Sequence, residues 1–120
     1  AMEAVMQIET SLGYQPKDVS AVKCGYDIES YVPVARRSRP TACALRMIEV
    51  KGRAKGATTV TVSKNEILTA LNKLEEFILA IVEVDGKDTH TIYLKHPFKN
   101  APDFSATSVH YDIQGLIAEV

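Results

Sequence analysis

Glu49 and Lys51 place a carboxylate and an ammonium two positions apart inside "ALRMIEVKGRAKG", residues 44 to 56, which otherwise has the apolar pattern of a buried strand. Side chains at i and i+2 of a strand share a face, so Met47, Glu49 and Lys51 point one way and Ile48 and Val50 the other. If residues 26 to 33 and 44 to 51 pair as an antiparallel hairpin, with a loop centred near residue 38, Asp27 lies roughly opposite Glu49. Two adjacent carboxylates repel, and burying them unpaired costs several kcal/mol; a hard divalent cation such as Mg²⁺ or Mn²⁺ removes that penalty. The ammonium could then stabilise charge building on a phosphoryl group, or help position and deprotonate an attacking water, while the metal polarises a phosphate oxygen. Together these are the parts of phosphodiester hydrolysis. Glu9 is a further candidate ligand or supporting group from the first helix, with a solvated helix residue as the alternative. The competing reading of Glu49 and Lys51 is a structural ion pair at a strand end. Asp85-Gly86-Lys87 shows how unspecific the bare spacing is, since there the same residue types make a turn.

The elements that must position these residues follow from periodicity and punctuation. Met2, Val5, Met6, Glu9 and Leu12 form a helical stripe over residues 2 to 12, closed by Gly13 and barred from continuing by Pro16. "KDVSAV" (17 to 22) and "YDIESYVP" (26 to 33) are expected strands around a Gly25 turn, and "VARRSRPTA" has the composition of a loop. "LRMIEVKG" and "ATTVTV" are further extended runs. Ser63 with Glu66 three residues on forms a capping box, and Ile67, Leu68, Leu71 and Leu74 give the helix behind it one apolar stripe. "FILAIVEV" (77 to 84) has the near-continuous apolarity of a central strand, and Asp85-Gly86 turns it into "HTIYLKHP". In the tail, "SVHYDI" reads as an edge strand and "QGLIAEV" as a short packing segment. The expected fold is an α/β sandwich around a mixed sheet: helix, three-strand meander, helix, strand, hairpin.

A D…E-x-K pattern on a strand hairpin, flanked by helices in α-β-β-β-α-β order, resembles the PD-(D/E)XK nuclease superfamily. More closely, "SLGY", "DVS", "GYDI", "IEVKGR" and "SKNE" are similar to the NO VEIN C-terminal domain family, from about Glu9 to Pro97. That is a domain of unknown function often placed at the end of helicase-like and restriction or phage-defence proteins. The resemblance implies a three-layer-like, restriction-endonuclease-like sandwich with a central mixed sheet. It implies Asp27 and Glu49 as ligands of Mg²⁺ or Mn²⁺, Lys51 as catalytic, and DNA as substrate. It also implies a C-terminal module of a larger parent, possibly a helicase. Asn65 and Glu66 open the second helix, where some nuclease branches carry a glutamine facing the site; the chain departs from the pattern in that Tyr26, not proline, precedes Asp27 and Asn65 is not that glutamine.

Length and composition fit one domain with a single packed core: 120 residues, 46% hydrophobic and 24% charged. With a net charge of −1, nothing global recommends a nucleic-acid or anionic-membrane partner, so such a site must come from local clustering. Arg36, Arg37 and Arg39 in the loop, with Arg53, Lys55 and Asn65, are the candidates for contacting nucleic acid beside the carboxylates; a solvated basic loop is the alternative. Cys24 and Cys43 are neither a C-x-x-C pair nor near histidine at zinc spacing and are expected to be buried thiols. Gly52 and Gly56 lack the G-K-[ST] ending of a phosphate-cradling loop. No apolar run approaches the roughly 20 residues that span a bilayer, so a cytoplasmic protein is expected. The rivals to an enzyme are a catalytically inactive nucleic-acid-binding or interaction module of the same fold, and a packing domain for the parent.

Overall fold

The computed structural model describes residues 1–22, 24–39 and 43–119. The end of the loop expected over 34 to 42, and Val120 of the expected packing segment, lie outside them. Helix α1 (Met2–Ser11) is followed by β1 (Gln15–Asp18), a 3₁₀ turn (Ser20–Val22), β2 (Ile28–Tyr31), a second 3₁₀ turn (Val34–Arg36) and β3 (Leu45–Ala54). Then come β4 (Thr59–Ser63), α2 (Lys64–Asn72), β5 (Phe77–Asp85), β6 (Asp88–Lys95), β7 (Ser108–Asp112) and α3 (Ile113–Glu119). The α2 start has the capping box in full: Glu66 N–H donates to Ser63 Oγ at 3.1 Å and Ser63 N–H to Glu66 Oε1 at 2.9 Å.

The central sheet runs β1-β2-β3-β5-β6, with β3 and β5 parallel and every other pair antiparallel. It is the expected mixed sheet with helices on its faces. Strand alternation divides the core in two. Val5 of α1 covers Ile28, Ile48, Ile78, Ala80 and Val82 on one face. On the other, Phe77, Leu79, Ile81 and Leu94 pack against Ile67 and Ala70 of α2, Val60 and Val62 of β4, and Leu116 of α3. Because β5 is apolar on both sides, it occupies the interior of the sheet, as its sequence requires.

Several expectations are corrected. The first strand is shorter and earlier than "KDVSAV": Asp18 accepts from the backbone N–H and hydroxyl of Ser20, at 2.9 and 2.6 Å, and this local turn diverts the chain out of the strand. The strand beginning at Thr59 leaves the central sheet and pairs with β7, so "SVHYDI" edges a separate two-stranded sheet. Helix α2 ends at Asn72, which leaves Leu74 beyond it, and both Leu68 and Leu74 are exposed. Cys24 and Cys43 are exposed free thiols, not buried ones. Among the described residues, no helix is long and apolar enough to cross a membrane.

Candidate active site

Asp27 sits where β2 begins, and three hydrogen bonds fix it. Its N–H donates to the Ile48 carbonyl at 2.9 Å, its carbonyl accepts from Val19 N–H at 2.8 Å, and its Oδ2 accepts from Val50 N–H at 3.0 Å. Ile48 and Val50 flank Glu49, and the β2–β3 register, Ile28 with Ile48, carried one step further sets Asp27 opposite Glu49. Both face the α2 side of the sheet, because Glu49 is level with Leu79, which packs there. Lys51, two residues on, turns its Nζ to 3.3 Å from Glu49 Oε2 and 2.9 Å from Glu66 Oε1. Gly25 brings these parts together. Its φ is +94°, and a Cβ there would collide with the Thr69 side chain, so only glycine lets the loop before Asp27 lie against α2. The result is a polar cleft of about 200 Å³ with Asp27, Glu49, Glu66, Asn65 and Ser63 in its wall.

The cleft carries more negative charge than it neutralises. Glu49 is only 3% exposed, and burial is the main cause pushing its carboxyl up to about 9, followed by the hydrogen bond and charge of Glu66 and the charge of Asp27; Lys51 pulls the other way. Burial would also raise Glu66, but donation from Ser63 N–H and Lys51, together with its contact with Glu49, holds it below the ordinary carboxylate range. Burial would lower Lys51, yet the hydrogen bond to Glu66 and the charges of Glu49 and Glu66 keep it above the usual lysine value. At neutral pH Lys51 is therefore an ammonium, and Glu49 retains a proton while Glu66 does not.

This donor set fits a hard divalent cation. It offers oxygen atoms only, Asp27 Oδ1 has no hydrogen bond among the described residues, and Glu49 is a buried acid that added positive charge would let ionise. Among the described residues, no three His, Cys, Asp or Glu side chains form a ready cation cage, since Glu66 is turned to Lys51 and to Ser63 N–H. Mg²⁺ does not require one, because it keeps several waters and takes one or two carboxylates. Asp27 and Glu49 are the residues that would hold it. A family model described as "Protein NO VEIN, C-terminal" matches residues 1–94. The chain belongs to this family. No curated protein matches it significantly.

In this NO VEIN C-terminal domain the match takes in Asp27, Glu49, Lys51 and Glu66 and stops before β7 and α3. Glu9 does not belong to the cleft. It is fully buried on the opposite face of the sheet, where Arg46 grips both its oxygens at 2.8 and 3.0 Å and Tyr93 donates to Oε2 at 2.8 Å. Arg46 is three positions from Glu49 on one strand, an odd spacing that inverts the face, so Glu9 is a structural ion-pair partner and not a ligand beside Glu49. Arg36, Arg37 and Arg39 are likewise not beside the carboxylates: they border a different cavity, with Leu45 and Arg46 at the other end of β3, about 10 to 13 Å along the strand from Glu49. Arg53 continues the Glu49–Lys51 face outward and is exposed, whereas Lys55 pairs with Asp85 at 3.3 Å. Asn65 lines the cleft. Tyr26 lines it too, donating its hydroxyl to Glu29 at 3.0 Å. Glu66 was legible in the sequence only as a cap. That one oxygen serves both the cap and Lys51 follows from where α2 lands, which the S-x-x-E spacing does not encode.

Proposed function

We propose that this domain is a divalent-cation-dependent phosphodiesterase acting on DNA, on a restriction-endonuclease-like framework within a larger restriction, phage-defence or helicase-associated protein. The observation that carries the reading is that Asp27 and Glu49, from adjacent strands, face one cleft with Lys51 Nζ 3.3 Å from Glu49. A bound Mg²⁺ or Mn²⁺ supplies Lewis-acid polarisation of the phosphoryl group and offsets charge developing on it. Asp27 and Glu49 are the residues that would hold the cation. Lys51, kept protonated by its hydrogen bond to the ionised Glu66, acts as a fixed positive charge toward the phosphoryl oxygens and not as the base. Glu66 orients that ammonium; Asn65, in the wall of the cleft, and Arg53, exposed farther out on the same strand face, are the candidates for contacting the nucleic-acid backbone.

Incubating plasmid with the chain and Mg²⁺ or Mn²⁺ tests this: the reading expects cleavage, lost to background in both Asp27→Ala and Lys51→Ala. Cleavage that persists in both variants overturns it. One observation favours a second reading, that of a silent DNA-binding or interaction module. Lys51 and the retained proton on Glu49 already offset much of the cluster's charge, as a structural ion pair would. Salt-sensitive DNA binding by all three proteins without cleavage supports that reading.

A further inference from the structure

On the α1 face, at the end of the sheet remote from the carboxylate cleft, lies a cavity of about 550 Å³. Its wall holds Arg36, Arg37, Arg39, Arg46 and Lys95 against one carboxylate in the wall, Glu75, and the buried Glu9 that Arg46 grips. In a chain whose net charge is −1, that is a strong local excess of positive charge facing one concave space. Two of the guanidinium groups are held in place by the fold. Arg46 lies 4.9 Å from the Tyr14 ring centre and 5.6 Å from that of Tyr93 while gripping Glu9, which leaves three of its five N–H groups for another acceptor. Arg37 donates to the Val32 carbonyl at 2.9 Å and the Tyr31 hydroxyl at 3.2 Å. Arg36, Arg39 and Lys95 have no carboxylate at ion-pair distance among the described residues. Val32, Leu45 and Ile78 supply an apolar side to the same cavity.

Gathered cations repel unless an anion joins them, and several forked donors converging on one space suit the oxygens of a phosphate better than a single carboxylate. The volume falls within the usual range of small-molecule sites and far exceeds what inorganic phosphate fills, so the apolar side has room for a ring system. We propose that this cavity binds the 5′-phosphomonoester of a nucleotide, either free or at the end of a nucleic-acid strand, at a site separate from the carboxylate cleft.

The test is calorimetric titration of the 120-residue chain in EDTA at low salt, so that the cation chemistry of the cleft does not enter. The probes are inorganic phosphate, deoxyadenosine, deoxyadenosine 5′-monophosphate, and one short oligonucleotide with a 5′-phosphate or a 5′-hydroxyl. The monophosphate should bind more tightly than phosphate, and deoxyadenosine should not bind. Arg39→Glu with Lys95→Glu, both exposed side chains, should weaken the monophosphate at least tenfold, while Arg53→Glu and Asp27→Ala leave it unchanged. A strand end is the source if the 5′-phosphorylated oligonucleotide binds at least as well as the monophosphate and its 5′-hydroxyl twin does not; preference for the monophosphate assigns a free nucleotide. No heat from the monophosphate at millimolar concentration, or binding indifferent to Arg39 and Lys95 with both proteins folded by circular dichroism, overturns the proposal. Because the readout excludes cleavage and metal, its failure is distinguishable from failure of the nuclease reading.

Discussion

The Glu49 carboxyl is buried beside Glu66 and Asp27, and among the described residues only Lys51 compensates it. In the unfolded chain it titrates near 4.5 and in the folded protein near 9. Between those values the folded state keeps a proton that the unfolded chain has released. The stability this group contributes is therefore complete below about pH 4.5, falls as pH rises, and is lost above about 9. In EDTA, denaturant unfolding of the wild type should show stability declining from pH 5 to pH 9 by on the order of a few kcal/mol, and Glu49→Gln, neutral and of the same shape, should show a flatter profile. Parallel profiles would mean that the cleft does not hold Glu49 protonated. At this level the sequence was informative where a side chain's position follows from strand alternation. Glu49, Lys51 and the cross-strand place of Asp27 needed only the two-residue period and a hairpin. It was misleading for Glu9, because a carboxylate on a helix stripe looks the same whether it faces water, a metal or an arginine. The arginine that settles it, Arg46, is 37 residues away.

Helix α2 and the loop entering β2 are separate elements whose mutual approach makes the cleft, and at Gly25 the loop lies too close to Thr69 of α2 to leave room for a Cβ. Gly25→Ala must both strain a φ of +94° and push Thr69 aside, whereas Gly56→Ala, at φ +88° with open space around it, meets only the backbone strain. Thermal unfolding should therefore show Gly25→Ala to be less stable than Gly56→Ala by roughly 1 kcal/mol or more. Equal losses would mean that the loop does not bear on α2. Most elements could be read directly: the capping box begins α2, unbroken apolarity puts β5 inside the sheet, and Asp85-Gly86 turns β5 into β6. What could not be read was partnership. "ATTVTV" is as β-prone as any strand here, and nothing in its residues says that it pairs with β7, about 50 positions on, and not with β3 next to it. Asp18 and Ser20 show the opposite limit, a hydrogen bond two residues long that outweighs β-branched propensity and ends β1 early.

Across the whole molecule, charge is sorted by sheet face and strand end. The carboxylates of Asp27, Glu49 and Glu66 gather on the α2 face, while Arg36, Arg39, Arg46 and Lys95 gather on the α1 face at the opposite end of β3. This separation is invisible in a net charge of −1 and in the basic run from Arg36 to Lys55, because strand alternation sends Arg46 and Lys51 to different layers. The cleft and the basic cavity therefore share no lining side chain. Anomalous diffraction from crystals soaked in Mn²⁺ above neutral pH would show whether Asp27 and Glu49 jointly hold a divalent cation beside the Lys51 ammonium. One strong peak is expected between the Asp27 and Glu49 carboxylates, abolished in Asp27→Ala crystals. Soaked crystals with no peak in the cleft, or with manganese bound only elsewhere, would contradict it.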